Sequence, residues 1–157
     1  GARVIVSEPN AKRAEFAREL GADIVIDPAN ESFVDRVKDL TNGRGADAIF
    51  TAVSIASAVE QSVEALGKGG RVMVYASVHP RGSKISLDPN LFHSNEIVLS
   101  GTVSQSREDF LQATRMIAEG IIDVKPFISK VFPFSQLEEA LQAGISSETY
   151  RSIVTMY

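Results

Sequence analysis

The chain has 157 residues, 44% of them hydrophobic, and a formal net charge of -4, enough for a domain with a real core. The acidic balance gives no reason to expect nucleic acid or an anionic membrane as partner. With no cysteine and only two histidines, His79 and His93, it can form no disulfide, no thiolate nucleophile and no cysteine-ligated metal centre.

The first predicted element is a strand over Arg3–Ser7. Val4, Ile5 and Val6 are an unbroken apolar β-branched run, which suits a strand buried on both faces of a parallel sheet. Pro9 cannot continue a central ladder. Asn10 can cap a helix through its side-chain oxygen, and Ala11–Leu20 reads as that helix, stopped by Gly21. Glu8 therefore stands at the C-terminal end of a strand, just ahead of a helix. Open α/β sheets bind ligands there, and dinucleotide-binding domains place there the acid that holds the adenosine ribose.

The alternation continues along the chain. Asp23–Asp27 predicts a second strand, and Ser32–Leu40 a helix with Phe33, Val34, Val37 and Leu40 on one face. Ala46–Ala52 reads as a third strand and Ala56–Leu66 as a helix. Gly67–Gly70 reads as a turn and Arg71–Ala76 as a fourth strand. Residues 78–95 read as a polar connection, in which both histidines are surface or packing residues. Ile97–Val103 is a fifth strand. Ser106 and Asp109 form a capping-box signature for a helix to Ala118, and Ser135 with Glu138 repeats it for a helix through Leu141. Ser152–Met156 closes as a short strand. Phe127, Phe132 and Phe134 are expected core aromatics. The fold class is thus α/β, a doubly wound, mostly parallel, Rossmann-like sheet. No run approaches the roughly 20 apolar residues of a membrane span and no signal peptide is visible, so the expected location is cytoplasmic.

A dinucleotide fold needs a glycine-rich turn about 20 residues before the ribose acid, which counts back to before Gly1. Residues Gly43 to Ala48, GRGADA, match G-x-G-x-x-A. They follow a helix and enter a strand, the reverse of a phosphate loop, as does Gly67–Gly70. Together with a start two residues ahead of a strand and no initiator methionine, this leads us to expect a fragment truncated at its N-terminus.

Several stretches, VIVSEPNAKR, ELGAD before VIDP, GADAIFTAV, ALGKGGRVMVYAS, HSNEIVLSGT, PFSQLEEALQAG and RSIVTMY, occur in an order that resembles the cofactor-binding domain of the medium-chain, zinc-type alcohol dehydrogenases. The sorbitol, threonine and butanediol dehydrogenases are the most similar branch. The resemblance covers essentially the whole chain and implies that its first strand, glycine turn and first helix are missing. It implies residues 1–143 as the NAD-binding domain, with 144–157 returning toward a catalytic domain outside this sequence.

Residue by residue, the resemblance implies Glu8 as the ribose-binding acid and Arg13 as a basic contact at the adenosine end. Ala52 and Val53 fall where backbone passes close to the cofactor; Val53-Ser54 replace the usual Thr-Gly, and Thr51 stands where glutamate is frequent. Ala76 and Ser77 match the nicotinamide side, Thr102 and Ser104 the carboxamide-holding backbone, and Arg151 an arginine at the cofactor phosphates. The implied activity is NAD-linked hydride transfer to or from a secondary alcohol, a polyol or a hydroxy-amino acid, with zinc confined to the absent catalytic domain. This chain alone carries no catalytic residue and is expected to be inactive. A non-enzymatic nucleotide-sensing domain and a ligand-free assembly fragment are the alternatives. The resemblance also implies a homo-oligomer, a dimer formed through Ile97–Val103 at the sheet edge. It places the missing strand between Arg3–Ser7 and Ala46–Ala52, so that those two strands either close on each other or leave an open lane.

Overall fold

The computed structural model describes residues 1–146 and 149–156. Every strand pair in it is parallel, and strands alternate with helices. Two compact units are present, Gly1–Val103 and Ser104–Tyr157.

In the first unit β1 (Ile5–Ser7) pairs with β2 (Ile24–Ile26), Ser7 opposite Ile26. Between them runs α1 (Ala11–Glu19), capped by Asn10 Oδ1, which accepts the Lys12 and Arg13 N–H groups. After β2 comes α2 (Phe33–Leu40), capped by Ser32. Its Phe33, Val34, Val37 and Leu40 lie in one apolar cluster with Ile26 and Ala65, as the helical spacing predicted. The second sheet has the order β3 (Ala46–Thr51), β4 (Leu66–Val74), β5 (Val98–Gly101). The helix α3 (Ala56–Glu64) connects β3 to β4 and buries Val59, Ser62 and Val63. Val63, Leu66, Val72 and Ile97 form the second cluster.

Four expectations for this unit need correction. The β-branched run is not buried on both faces: Ile5 and Val6 are half-buried, and Val4, outside the strand, is 47% exposed. Such a run states a capacity for burial, but a three-residue strand with one hydrogen-bonded neighbour does not supply the cover. Gly67–Gly70 are not a turn ahead of β4 but part of it. Ala46 pairs with Leu66 while Ala48 pairs with Arg71, so the glycines are taken up as a bulge, Gly69 at a φ of +72°. The connection 78–95 contains a helix, α4 (Pro89–Asn95), capped by Asp88 and started by its proline. Its Leu91 and Phe92 pack on the second cluster. Finally, β5 is shorter than Ile97–Val103, and Val103 is 91% exposed.

Among the described residues no ladder joins β1 to β3, although Ile5, Ala46 and Ile49 all pack on the first cluster. The two strands have not closed on each other, and no other described segment bonds between them.

In the second unit α5 (Arg107–Ala118) opens on the predicted capping box and is followed by Gly120 at a φ of +71°. A 3-10 turn over Lys125–Phe127 then leads into β6 (Ile128–Pro133), a strand the sequence reading missed between its flanking prolines. Ser135 and Glu138 form no capping box. A 3-10 turn over Phe134–Gln136 takes up those residues, and α6 (Leu137–Ile145) starts from Gln136 with no side-chain cap. β7 (Arg151–Thr155) pairs with β6. The expected core aromatics are only partly covered. Phe127 is 38% and Phe134 53% exposed, and Phe127 meets Tyr150 edge-on at 6.4 Å. Ser147, Glu148 and Tyr157, within the 144–157 segment, lie outside the described residues.

Candidate dinucleotide site

Parallel strands end on a common edge, and the loops that leave it are where a ligand can meet several strands at once. Three of the expected stretches share such an edge in the first unit. The N–H groups of Tyr75 and Ala76 both donate to the Thr51 carbonyl at 3.1 Å, which ties the end of β4 to the end of β3. The Thr102 N–H donates to the Val74 carbonyl at 3.2 Å, which ties β5 to β4. Ala52 and Val53, Ala76 and Ser77, and Thr102 therefore leave three neighbouring strands side by side. Val53, Ser77 and Thr102 are exposed and Ala76 is half-buried. One more bond, from the His79 N–H to the Ser54 carbonyl at 3.2 Å, links the two longer loops. Both histidine side chains are exposed.

Glu8 leaves β1 at the corresponding edge of the two-stranded sheet. Its N–H donates to the Ile26 carbonyl at 3.0 Å, so the backbone ladder runs one residue beyond the strand. The half-buried Glu8 carboxylate lines a cleft with Ala11, Ala14, Arg18, Asp27 and Glu31. Oε1 accepts the Asn10 N–H at 2.9 Å. Arg13 is in the first turn of α1, half-buried, its own N–H held by Asn10. It is near Glu8 in the chain but does not line that cleft.

Ser104 and Arg151 belong to the second unit. Ser104 has a φ of +57° and is exposed. Arg151 opens β7, exposed, with one guanidinium nitrogen donating to the Tyr150 carbonyl at 3.0 Å.

Sequence reasoning missed three residues that shape this edge. Thr51, buried, carries the carbonyl that gathers β4. Asp27 follows β2 as Glu8 follows β1, and its carboxylate accepts the Ala29 N–H and the Asn30 side-chain amide; the reasoning used for Glu8 would have found it. Asn10 was read as a helix cap alone, yet its own amide serves Glu8.

The description "zinc-binding dehydrogenase" belongs to the family that matches residues 1–119. The chain belongs to the zinc-binding dehydrogenase family. A 2-dehydro-3-deoxy-L-galactonate 5-dehydrogenase of Pseudoalteromonas atlantica is 36% identical over 140 residues, covering 89% of this chain and 40% of that protein. An L-threonine 3-dehydrogenase of Pyrococcus abyssi is 32% identical over 149 residues, covering 93% of this chain and 42% of that protein. The fold is shared with a zinc-binding dehydrogenase of Sinorhizobium meliloti 1021 solved with NADP, at a TM-score of 0.87 and 22% identity, over 98% of this chain and 45% of that one. The chain thus spans about two fifths of the length of these dehydrogenases.

The family's metal does not fit the residues here. Among the described residues no group of three or more histidines, aspartates and glutamates could hold a metal ion, and cysteine is absent. No step at zinc can be derived from this part of a zinc-binding dehydrogenase. The edge offers a half-buried carboxylate just past β1 and exposed loop backbone at the ends of three adjacent strands, polar groups of the kind a nicotinamide dinucleotide would need.

Proposed function

We propose that these residues are the cofactor-binding part of an NAD-dependent alcohol or polyol dehydrogenase, with the zinc and the substrate residues elsewhere in the protein. The observation that carries this reading is the alignment of Ala52–Val53, Ala76–Ser77 and Thr102 on one strand edge in a chain of this family. When bound, the nicotinamide accepts or delivers the hydride; the chain binds and orients it. Glu8 takes the ribose hydroxyls and Arg13 the adenosine end. Ala52, Val53, Ala76 and Ser77 border the nicotinamide half. Thr102 holds the carboxamide. Residues 1–143 make up this domain, and 144–157 lead back toward the catalytic part. The protein acts in the cytoplasm as a homodimer through residues 97–103.

NAD rather than NADP follows from charge. A carboxylate accepts from a ribose diol but repels a 2'-phosphate, by roughly 1 to 4 kcal/mol for like charges ~4 Å apart near a surface. Titration calorimetry of the whole protein with each cofactor tests this. Tighter binding of NAD is expected, with the gap narrowed in Glu8→Ala. Equal affinities in the unmodified protein would remove Glu8 from the ribose.

A further inference from the structure

We propose that Asn10 is the positioning residue for the Glu8 carboxylate, and that its backbone N–H, not its side chain, sharpens the site's preference between the two nicotinamide cofactors. The proposal rests on the reading of Glu8 as the ribose acid and adds how that acid is aimed.

The main chain of Glu8 is fixed by its N–H bond to the Ile26 carbonyl at 3.0 Å. Its side chain would otherwise be free, since a glutamate has rotatable bonds whose freedom must be given up before it can hold a ligand. One contact removes much of that freedom. The Asn10 N–H donates to Oε1 at 2.9 Å, a charge-assisted bond. The amide is itself held. Asn10 has an extended backbone, φ -83° and ψ 117°, and its Oδ1 accepts the Lys12 and Arg13 N–H groups at 3.0 and 3.1 Å. One residue therefore grips the start of α1 with its side chain and the carboxylate of Glu8 with its main chain. The direction of the carboxylate is locked to the helix start.

Occupying Oε1 once does not spend the site. A carboxylate has about four lone-pair positions, so a vicinal diol can still place one hydroxyl on each oxygen. The lock has opposite effects on the two cofactors. For a ribose diol the acceptor is already oriented, and the ordering cost of binding falls. For a 2'-phosphate the same carboxylate cannot swing aside, so the repulsion is kept. A glutamate released from the Asn10 amide could rotate away and tolerate the phosphate.

The test separates the two roles of Asn10 in the whole protein by calorimetry with NAD and with NADP. Asn10→Ala keeps the N–H and loses the helix cap. Asn10→Pro loses both, at a φ close to what proline adopts. Each is made with Glu8 present and in a Glu8→Ala background. With Glu8 present, Asn10→Pro should bind NAD about tenfold more weakly than Asn10→Ala, the weight of one hydrogen bond to a charged group, and should narrow the preference over NADP. In the Glu8→Ala background the two should bind alike. A loss of helix stability alone would move both cofactors together and would persist without Glu8. Equal NAD affinities for Asn10→Pro and Asn10→Ala with Glu8 present would overturn the proposal. If Glu8→Ala by itself leaves NAD affinity unchanged, the ribose reading fails instead, and the proposal with it. Should Asn10→Pro not fold, a backbone ester at position 10 removes the same N–H without the proline ring and reads out the same comparison.

Discussion

Gly45 and Gly67 pass so closely that a Cβ on Gly45 would stand 2.5 Å from the Gly67 backbone nitrogen. Gly45 also has a φ of +84°, a conformation that L side chains rarely adopt. The obstacle is main chain of β4, which cannot rotate out of the way. Gly43 offers the control, because its φ is +80° but nothing lies within 4 Å of its missing Cβ. Gly43→Ala should therefore cost only the backbone term, roughly 1 to 3 kcal/mol. Gly45→Ala should add a steric clash and lose more than about 4 kcal/mol. Urea unfolding of the two variants side by side measures the difference; similar midpoints would refute the close-packing account.

The first apolar cluster has its deepest side chain at Ile26, which is fully buried on β2 against Val37 and Ala65. Its neighbours come from β1, α2, the end of α3 and β3, so no single element can move in to fill a hole there. Ile26→Ala should cost about 2 to 5 kcal/mol. Val4→Ala, at a residue 47% exposed, should stay within about 0.5 kcal/mol. Thermal or denaturant melts check both. Equal effects would mean that burial does not separate the two positions.

Much of this arrangement was legible because it is written in local chemistry. Asn10, Ser32 and the Ser106–Asp109 pair announce helix starts, and each caps as its side chain allows. Phe33 to Leu40 announces a face. Glu8 could be placed at a strand end from Pro9 and Asn10 alone. What the sequence hid depends on distant partners. Gly67–Gly70 look like a turn until Ala48 is seen to pair with Arg71. Ser135 and Glu138 have the spacing of a cap, but a 3-10 turn takes up Phe134–Gln136. Asn10 gives no sign in sequence that its main-chain amide meets a side chain two residues earlier, since any residue but proline carries that donor.

The Ser106–Asp109 box also predicts a pH response. The Ser106 hydroxyl and then its backbone N–H hold the exposed Asp109 carboxyl below its ordinary value. A carboxylate whose folded pKa is depressed adds stability above its unfolded pKa, near 3.9, and that stability is lost as pH falls through the folded value. The window is thus the acid side of about pH 4. Ser106→Ala should move the Asp109 titration midpoint up toward the ordinary range, followed by NMR at the side-chain carboxyl. At neutral pH the variant should lose helicity at the start of α5, and below the window the difference should shrink to the part due to the lost cap bond from the Asp109 N–H to the Ser106 hydroxyl. An unchanged Asp109 midpoint would show that the hydroxyl is not what lowers it.

The last prediction concerns the edge of the three-stranded sheet. Among the described residues β5 pairs with β4 on one side only. Val98 is 43% and Val103 91% exposed. An apolar edge of this kind invites pairing with another chain unless something blunts it. No lysine or proline occurs between residues 97 and 103 to do so. Self-pairing about a two-fold axis would satisfy the free backbone groups and cover the valines in one step. The whole protein should therefore sediment as a dimer, and Val98→Lys with Val103→Lys should shift it toward monomer. Introduced lysines act here by placing like charges on both partners and by resisting burial. Because both positions are exposed, the fold should survive the change, and circular dichroism checks that it does. A monomer before any substitution, or a dimer unmoved by both lysines in a folded variant, would place the interface away from β5.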